Sequence, residues 1–184
     1  MASLAQAVKN SNNWFANGEF FEKLSSLVNI VSDSKNSVSV EDLTNYYADG
    51  LSDILEELGL QTEIIDNPIK NGPPFLIGTR IESSDLNTIL LYGHGDTVPL
   101  QEGQWFEGII PNELKIIDDK IYGRGVADNK GQHLINLLAL LSVLKTRKKL
   151  GFNLKIIFEM GEEIGSPGLF ELCEQYKDLS LIHI

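Results

Sequence analysis

Thr88-Ile89-Leu90-Leu91-Tyr92-Gly93-His94-Gly95-Asp96-Thr97-Val98-Pro99 decides the architecture. Its first five residues are almost wholly apolar, the pattern of a strand buried on both faces as in a parallel sheet. The run breaks off in Gly-His-Gly-Asp, a polar loop at the carboxyl end of that strand. Downstream, Gln132 to Lys145 is apolar on nearly every side and predicts a buried helix. Leu154 to Phe158 predicts a second buried strand, and Pro167 to Tyr176 a helix with proline near its first turn. Strand, helix, strand, helix is the order of a partly parallel sheet covered by helices.

Upstream, Phe21, Leu24, Leu27 and Val28 lie at helical spacing within Phe20 to Val31. Ser39 followed by Asp42 reads as a capping box, with Asp where Glu or Gln is usual. Tyr46, Leu51, Ile54, Leu55 and Leu58 extend that start into one amphipathic helix, stopped by Gly59. Thr62 to Ile65 and Phe75 to Ile81 are short strands around the turn Asn71-Gly72-Pro73-Pro74. The expected fold class is α/β, a three-layer sandwich with a mixed, partly parallel sheet.

The chain has 184 residues and a formal net charge of −11, with 42% hydrophobic and 22% charged residues. That length supports one domain with a sizeable core. The acidic balance argues against nucleic acid or an anionic membrane as partner, since both attract basic surfaces. One cysteine, Cys173, rules out an internal disulfide and fits a reducing compartment. Residues 1–13 lack the apolar core of a secretion signal, and Leu134 to Leu144 is too short to span a bilayer, which needs about 20 apolar residues. The expected location is cytoplasmic.

Chemistry-bearing residues concentrate in three segments. At extended spacing, His94 and Asp96 point to one side. An imidazole is a good zinc ligand, and a neighbouring carboxylate can orient it. Taken alone, the pair also reads as a hydrogen-bonded turn. The second segment is Tyr122 to Gly131, with Asp128 where the buried helix begins. Asp128 can bridge two cations or simply cap the helix. The Gly-x-Gly-x-x-Asp pattern lacks the third glycine of a dinucleotide loop, and its Lys-Gly order reverses that of a nucleotide loop. The third segment, Glu159 to Gly168, carries Glu162 and Glu163 after the second buried strand. Such neighbours can divide metal binding from proton transfer, or be surface charge before a helix.

The three segments in this order resemble the co-catalytic zinc peptidase family. That family includes acetylornithine deacetylase, succinyl-diaminopimelate desuccinylase, aminoacylase, carnosinase-type dipeptidases and glutamate carboxypeptidase. The matching stretches are Leu90 to Pro99, Ile121 to Leu141 and Ile156 to Gly168, and the resemblance runs from about Phe20 onward. It implies a zinc exopeptidase-like catalytic domain that cleaves amide bonds of small amino-acid derivatives or short peptides. It implies two divalent metal ions, zinc by family usage, with cobalt or manganese as alternatives. By the same resemblance His94 and Glu163 each bind one metal, and Asp128 bridges both, with a cis peptide to Asn129. Asp96 orients His94, and Glu162 is the general base and later proton donor. The rival expectations are a non-catalytic metal- or peptide-binding homologue and a structural α/β interaction domain.

The family has a later acid ligand, a C-terminal His ligand and an inserted lid domain that often dimerises. None is found here, so residues 1–178 are expected to be the N-terminal part of the catalytic domain, and the full-length protein a homodimer. Residues 179–184 match a translation of a transposase mosaic-end adapter and are expected to be a non-native tail. His133 reads as a structural histidine, Trp105 and Phe106 as packing residues that can also border substrate, Arg124 as a loop-fixing residue, and Cys173 as a buried or half-buried residue.

Overall fold

The computed structural model describes residues 4–35 and 38–176. The tail at 179–184, with His183, lies outside the described residues. Four helical stretches come first: α1 (Leu4–Ala16), α2 (Glu19–Asn29), α3 (Val40–Asn45) and α4 (Ser52–Glu57), the last two joined by a π-helical segment, Tyr46–Leu51. Strands β1 (Gln61–Ile65), β2 (Phe75–Arg80) and β3 (Thr88–His94) follow, then a hairpin of β4 (Lys115–Ile117) and β5 (Lys120–Tyr122). The chain continues through α5 (Lys130–Arg147), β6 (Asn153–Glu159), a 3₁₀ turn at Glu162–Ile164 and α6 (Leu169–Gln175).

The main sheet has the order β1-β2-β6-β3. β2 is antiparallel to β1 and β6, whereas β3 runs parallel to β6. Side chains alternate across it, as the strand period of two requires. Leu76, Leu154, Ile156 and Phe158 face the larger core with α2, α4 and α5, while Phe75, Ile77 and Ile157 face α6 through Leu172. Helices therefore cover both faces, and the three-layer, mixed-sheet expectation holds. Within α5, Leu134, Leu137, Leu138 and Leu141 are all buried. Each such leucine contributes about 1.5–3 kcal/mol of hydrophobic stabilisation.

Several local expectations change. β3 is not buried on both faces: Ile89 and Leu90 are 46% and 40% exposed. Its continuous apolar run suits a central strand, but among the described residues β3 has a neighbour on one side only. α5 likewise exposes Ile135. The Ser39–Asp42 capping box is present, yet the single helix expected after it is interrupted by the π-helical segment. That extra residue per turn carries both Tyr46 and Tyr47 into the core. α1 was not expected; of its residues only Ala7 and Trp14 are buried. Trp14 anchors it by donating Nε1–H to Ser142 Oγ at 2.9 Å. Cys173 is exposed, not half-buried, since α6 turns Leu172 inward instead. Among the described residues, no helix is long and apolar enough to cross a membrane.

Candidate active site

β3 and β6 are parallel neighbours, so their carboxyl ends coincide, with His94 opposite Glu159. Ligands in open α/β sheets bind at such ends. The His94–Asp96 loop leaves β3, and the Glu162–Ile164 turn leaves β6. Asp128 arrives from the loop before α5, across a cis peptide bond to Asn129. Asn129 is the N-cap residue of α5 and makes no side-chain cap bond. Asp128 is therefore not a helix cap: its side chain is 70% exposed, and its Oδ1 lies 3.1 Å from His94 Nε2.

Asp96 ties the first loop to the third. It is wholly buried, and its Oδ1 and Oδ2 accept the backbone N–H of Glu162 and Glu163, each at 3.1 Å. Its Oδ1 also lies 3.3 Å from His94 Nδ1. Because His94 Nδ1 faces only Asp96 oxygens, it carries a proton, and Nε2 is the nitrogen left to face the cleft. Burial lowers the His94 pKa, but hydrogen bonding to Asp96 and the charges of Asp96 and Glu162 outweigh it, pushing it up to about 9. Glu162 Oε2 stands 3.9 Å from His94 Nε2. Glu163 has its pKa raised by burial and by the charges of Asp128 and Glu162, against which His94 works. Three carboxylates thus stand within 4 Å of one imidazole, and a fourth, Glu163, feels its charge. That excess of negative charge and this donor chemistry fit divalent cations in kind. They fall short in number. Among the described residues, no group of three or more His, Cys, Asp or Glu side chains forms a metal-holding set.

Three residues at the site were not among the candidates read from the sequence: Glu159, Lys130 and Tyr46, the last of which was read only as a helix position. Glu159 is 1% exposed. Its Oε1 accepts from the Tyr92 hydroxyl and, at 2.9 Å, from Ser166 Oγ, which anchors the turn bearing Glu162 and Glu163. Lys130 is equally buried and donates to the carbonyls of Leu27 and Ile30 at 2.9 and 2.7 Å, holding the end of α2 under the site. Burial, only partly offset by Asp96, pushes its ammonium down to about 7. Lys130 opens α5, and only the fold reveals that its side chain turns inward.

The family model described as peptidase family M20/M25/M40 matches residues 90–184, just over half of the chain. The chain belongs to peptidase family M20/M25/M40. It is 33% identical over 171 residues to the human Beta-Ala-His dipeptidase, an alignment covering 87% of this chain and 33% of that protein. It is 31% identical over 165 residues to the Cys-Gly metallodipeptidase of Candida albicans, covering 84% of this chain and 33% of the relative. The crystal structure of human carnosine dipeptidase 1 superposes with a TM-score of 0.79 at 32% identity, covering 94% of this chain and 38% of that one. The chain thus spans about a third of the length of the curated relatives it matches.

Around this candidate site the remaining aromatic and basic residues are peripheral. Trp105 Nε1 donates to the Leu100 carbonyl at 2.8 Å, and Arg124 stacks on its ring at 5.1 Å. Arg124 Nη2 reaches the same carbonyl at 3.3 Å, consistent with fixing the loop. Phe106 is 79% exposed and does not pack, contrary to expectation. His133 is buried and hydrogen-bonded, as a structural histidine should be.

Proposed function

We propose that the full-length protein is a metal-dependent hydrolase of amide bonds in short peptides or small amino-acid derivatives. The carrying observation is the approach of two carboxylates to His94 Nε2, Asp128 Oδ1 at 3.1 Å and Glu162 Oε2 at 3.9 Å, at the carboxyl ends of two parallel strands. In this reading His94, Asp128 and Glu163 hold two divalent cations, with zinc first and cobalt or manganese as alternatives. When bound, the cations supply Lewis acidity toward the amide carbonyl and the attacking water. Asp96 keeps Nδ1 of His94 protonated and Nε2 turned to the cleft. Glu162, exposed enough to reach solvent, takes the water proton and returns it to the leaving nitrogen. Dipeptides head the substrate classes, because the Beta-Ala-His and Cys-Gly dipeptidases are relatives by sequence. N-acyl amino acids follow.

The deciding experiment assays the full-length gene product against β-Ala-His, Cys-Gly and N-acetyl amino acids before and after chelation. Cleavage should vanish with chelator and return with Zn²⁺, Co²⁺ or Mn²⁺. Glu162→Gln should lower kcat by about 10²–10⁴-fold while metal content persists. Chelator-insensitive behaviour, or no cleavage of any of these amides, would overturn the reading. The 184-residue polypeptide alone should bind metal weakly and turn over no substrate, because catalytic zinc normally keeps three protein ligands.

A further inference from the structure

His133 takes no part in the chemistry proposed above, yet it is 1% exposed and both of its ring nitrogens are engaged. Nε2 lies 2.7 Å from the Tyr46 hydroxyl, and Nδ1 lies 3.2 Å from Asn129 Oδ1. The direction of each bond can be worked out. The backbone N–H of His94 can only donate, and it points at Asn129 Oδ1 at 3.4 Å. The other amide atom, Nδ2, donates to Gln132 Oε1 at 3.0 Å, which agrees with that orientation. A carbonyl oxygen only accepts, so Nδ1 of His133 must carry the proton. A buried imidazole is neutral, so Nε2 is bare and the Tyr46 hydroxyl donates to it.

Donation therefore runs from Tyr46 to His133 to Asn129 and meets there the main chain of His94. Each member is fixed. Tyr46 is fully buried, and the Lys130 ammonium sits 5.1 Å from its ring centre. A Cβ on Gly95 would fall 2.3 Å from the Tyr46 ring, so the phenol lies directly beneath the loop between His94 and Asp96. His133 is wedged between Tyr46 and Phe158, with ring centroids 5.9 and 5.0 Å away. Asn129 follows Asp128 directly in the chain, so one carboxamide governs two of the loops that carry candidate ligands.

We propose that Tyr46, His133 and Asn129 form a positioning relay that sets the spacing between His94 and Asp128 for metal binding. It rests on the metal reading given under Proposed function. The test uses the 184-residue chain labelled at histidine, with millimolar Co²⁺ as probe. Ring carbon and nitrogen shifts at pH 7 should report His133 as the Nδ1–H tautomer. His133→Leu and Tyr46→Phe should each weaken Co²⁺ binding at His94 by about tenfold, the lower end of what supporting partners of ligands usually cost. Both should speed exchange of the His94 amide at temperatures where circular dichroism shows the variant folded. His133→Asn, which offers an amide N–H near the place of Nδ1, should recover most of the affinity. Should His133→Leu fail to fold, Tyr46→Phe, which removes a single oxygen, carries the same comparison. An Nε2–H tautomer, or Co²⁺ affinity unchanged in the variants, overturns the relay and leaves the metal reading intact. No Co²⁺ binding by the unaltered chain at millimolar concentration overturns the relay's role in metal binding, while the metal reading stands or falls on the full-length assay above.

Discussion

Asp96 shows how much one buried carboxylate can organise. Its two oxygens meet the N–H groups of Glu162 and Glu163 and the Nδ1 of His94. Asp96→Asn keeps the shape but offers one accepting oxygen, and its NH₂ then confronts a backbone N–H. The expected cost is about 1–3 kcal/mol of stability and about 10–100-fold in divalent-metal affinity. Urea denaturation and Co²⁺ titration would read both, and an Asn variant indistinguishable from the parent would contradict this account. Gly131 gives a prediction of unusual sign. It lies inside α5, where helix propensity alone favours alanine over glycine by about 1 kcal/mol. A Cβ there would sit 2.0 Å from the Val126 carbonyl oxygen. Gly131→Ala should therefore destabilise the protein, by about 1–3 kcal/mol on the scale of core overpacking, and a higher melting temperature would refute the contact.

Among the elements, the connection after β2 is clamped to the turn between α5 and β6 by Glu82. Its carboxylate accepts from the N–H groups of Leu150 and Gly151 at 2.7 and 2.8 Å and pairs with Arg80 at 3.1 Å. Burial pushes this carboxyl up, but the two backbone bonds and Arg80 outweigh it and hold it below its ordinary range. A depressed folded value means the stabilisation is fully present above the unfolded value, about 4.3. It is lost as pH falls through the lower folded value. Glu82→Gln should cost about 1–2 kcal/mol at pH 7 by urea denaturation, and the gap should close toward acid. A gap that widens on acidification would show the sign to be wrong. The same elements show what could be read in advance. α2 announced itself by its helical period and β6 by its short, nearly continuous apolar run, and the Ser39 box fixed a start. β3 was legible as a strand but not as an edge, because apolarity records what a strand packs against and not which neighbours are present. His94, Asp96, Asp128, Glu162 and Glu163 were legible only together, because each segment alone also reads as a turn, a cap or surface charge and it is the three in order that carry the family resemblance. Tyr46, Lys130 and Glu159 could not, because their direction depends on a π-helical turn and on tertiary carbonyls.

At the scale of the whole molecule, the free edge of β3 sets a solution property. Among the described residues, Thr88 to His94 offers one unpaired row of backbone groups, with no proline or acidic side chain to guard it. Beside it, Ile89, Leu91, Leu140, Val143 and Phe152 line an apolar groove. Unguarded edges of this kind pair with other chains. The 184-residue polypeptide should self-associate with rising concentration in light scattering, and Ile89→Lys should hold it monomeric. A parent that stays monomeric at submillimolar concentration would speak against that. The position of β6 has a last consequence. It lies between β2 and β3 and hydrogen-bonds to both, yet it is the last of the four to leave the ribosome. Until translation has passed Glu159, β3 has no partner among the described strands and β2 only one. The nascent chain must carry β3 unpaired until β6 is complete, an interval in which a holding chaperone would matter more than in a protein built from consecutive hairpins.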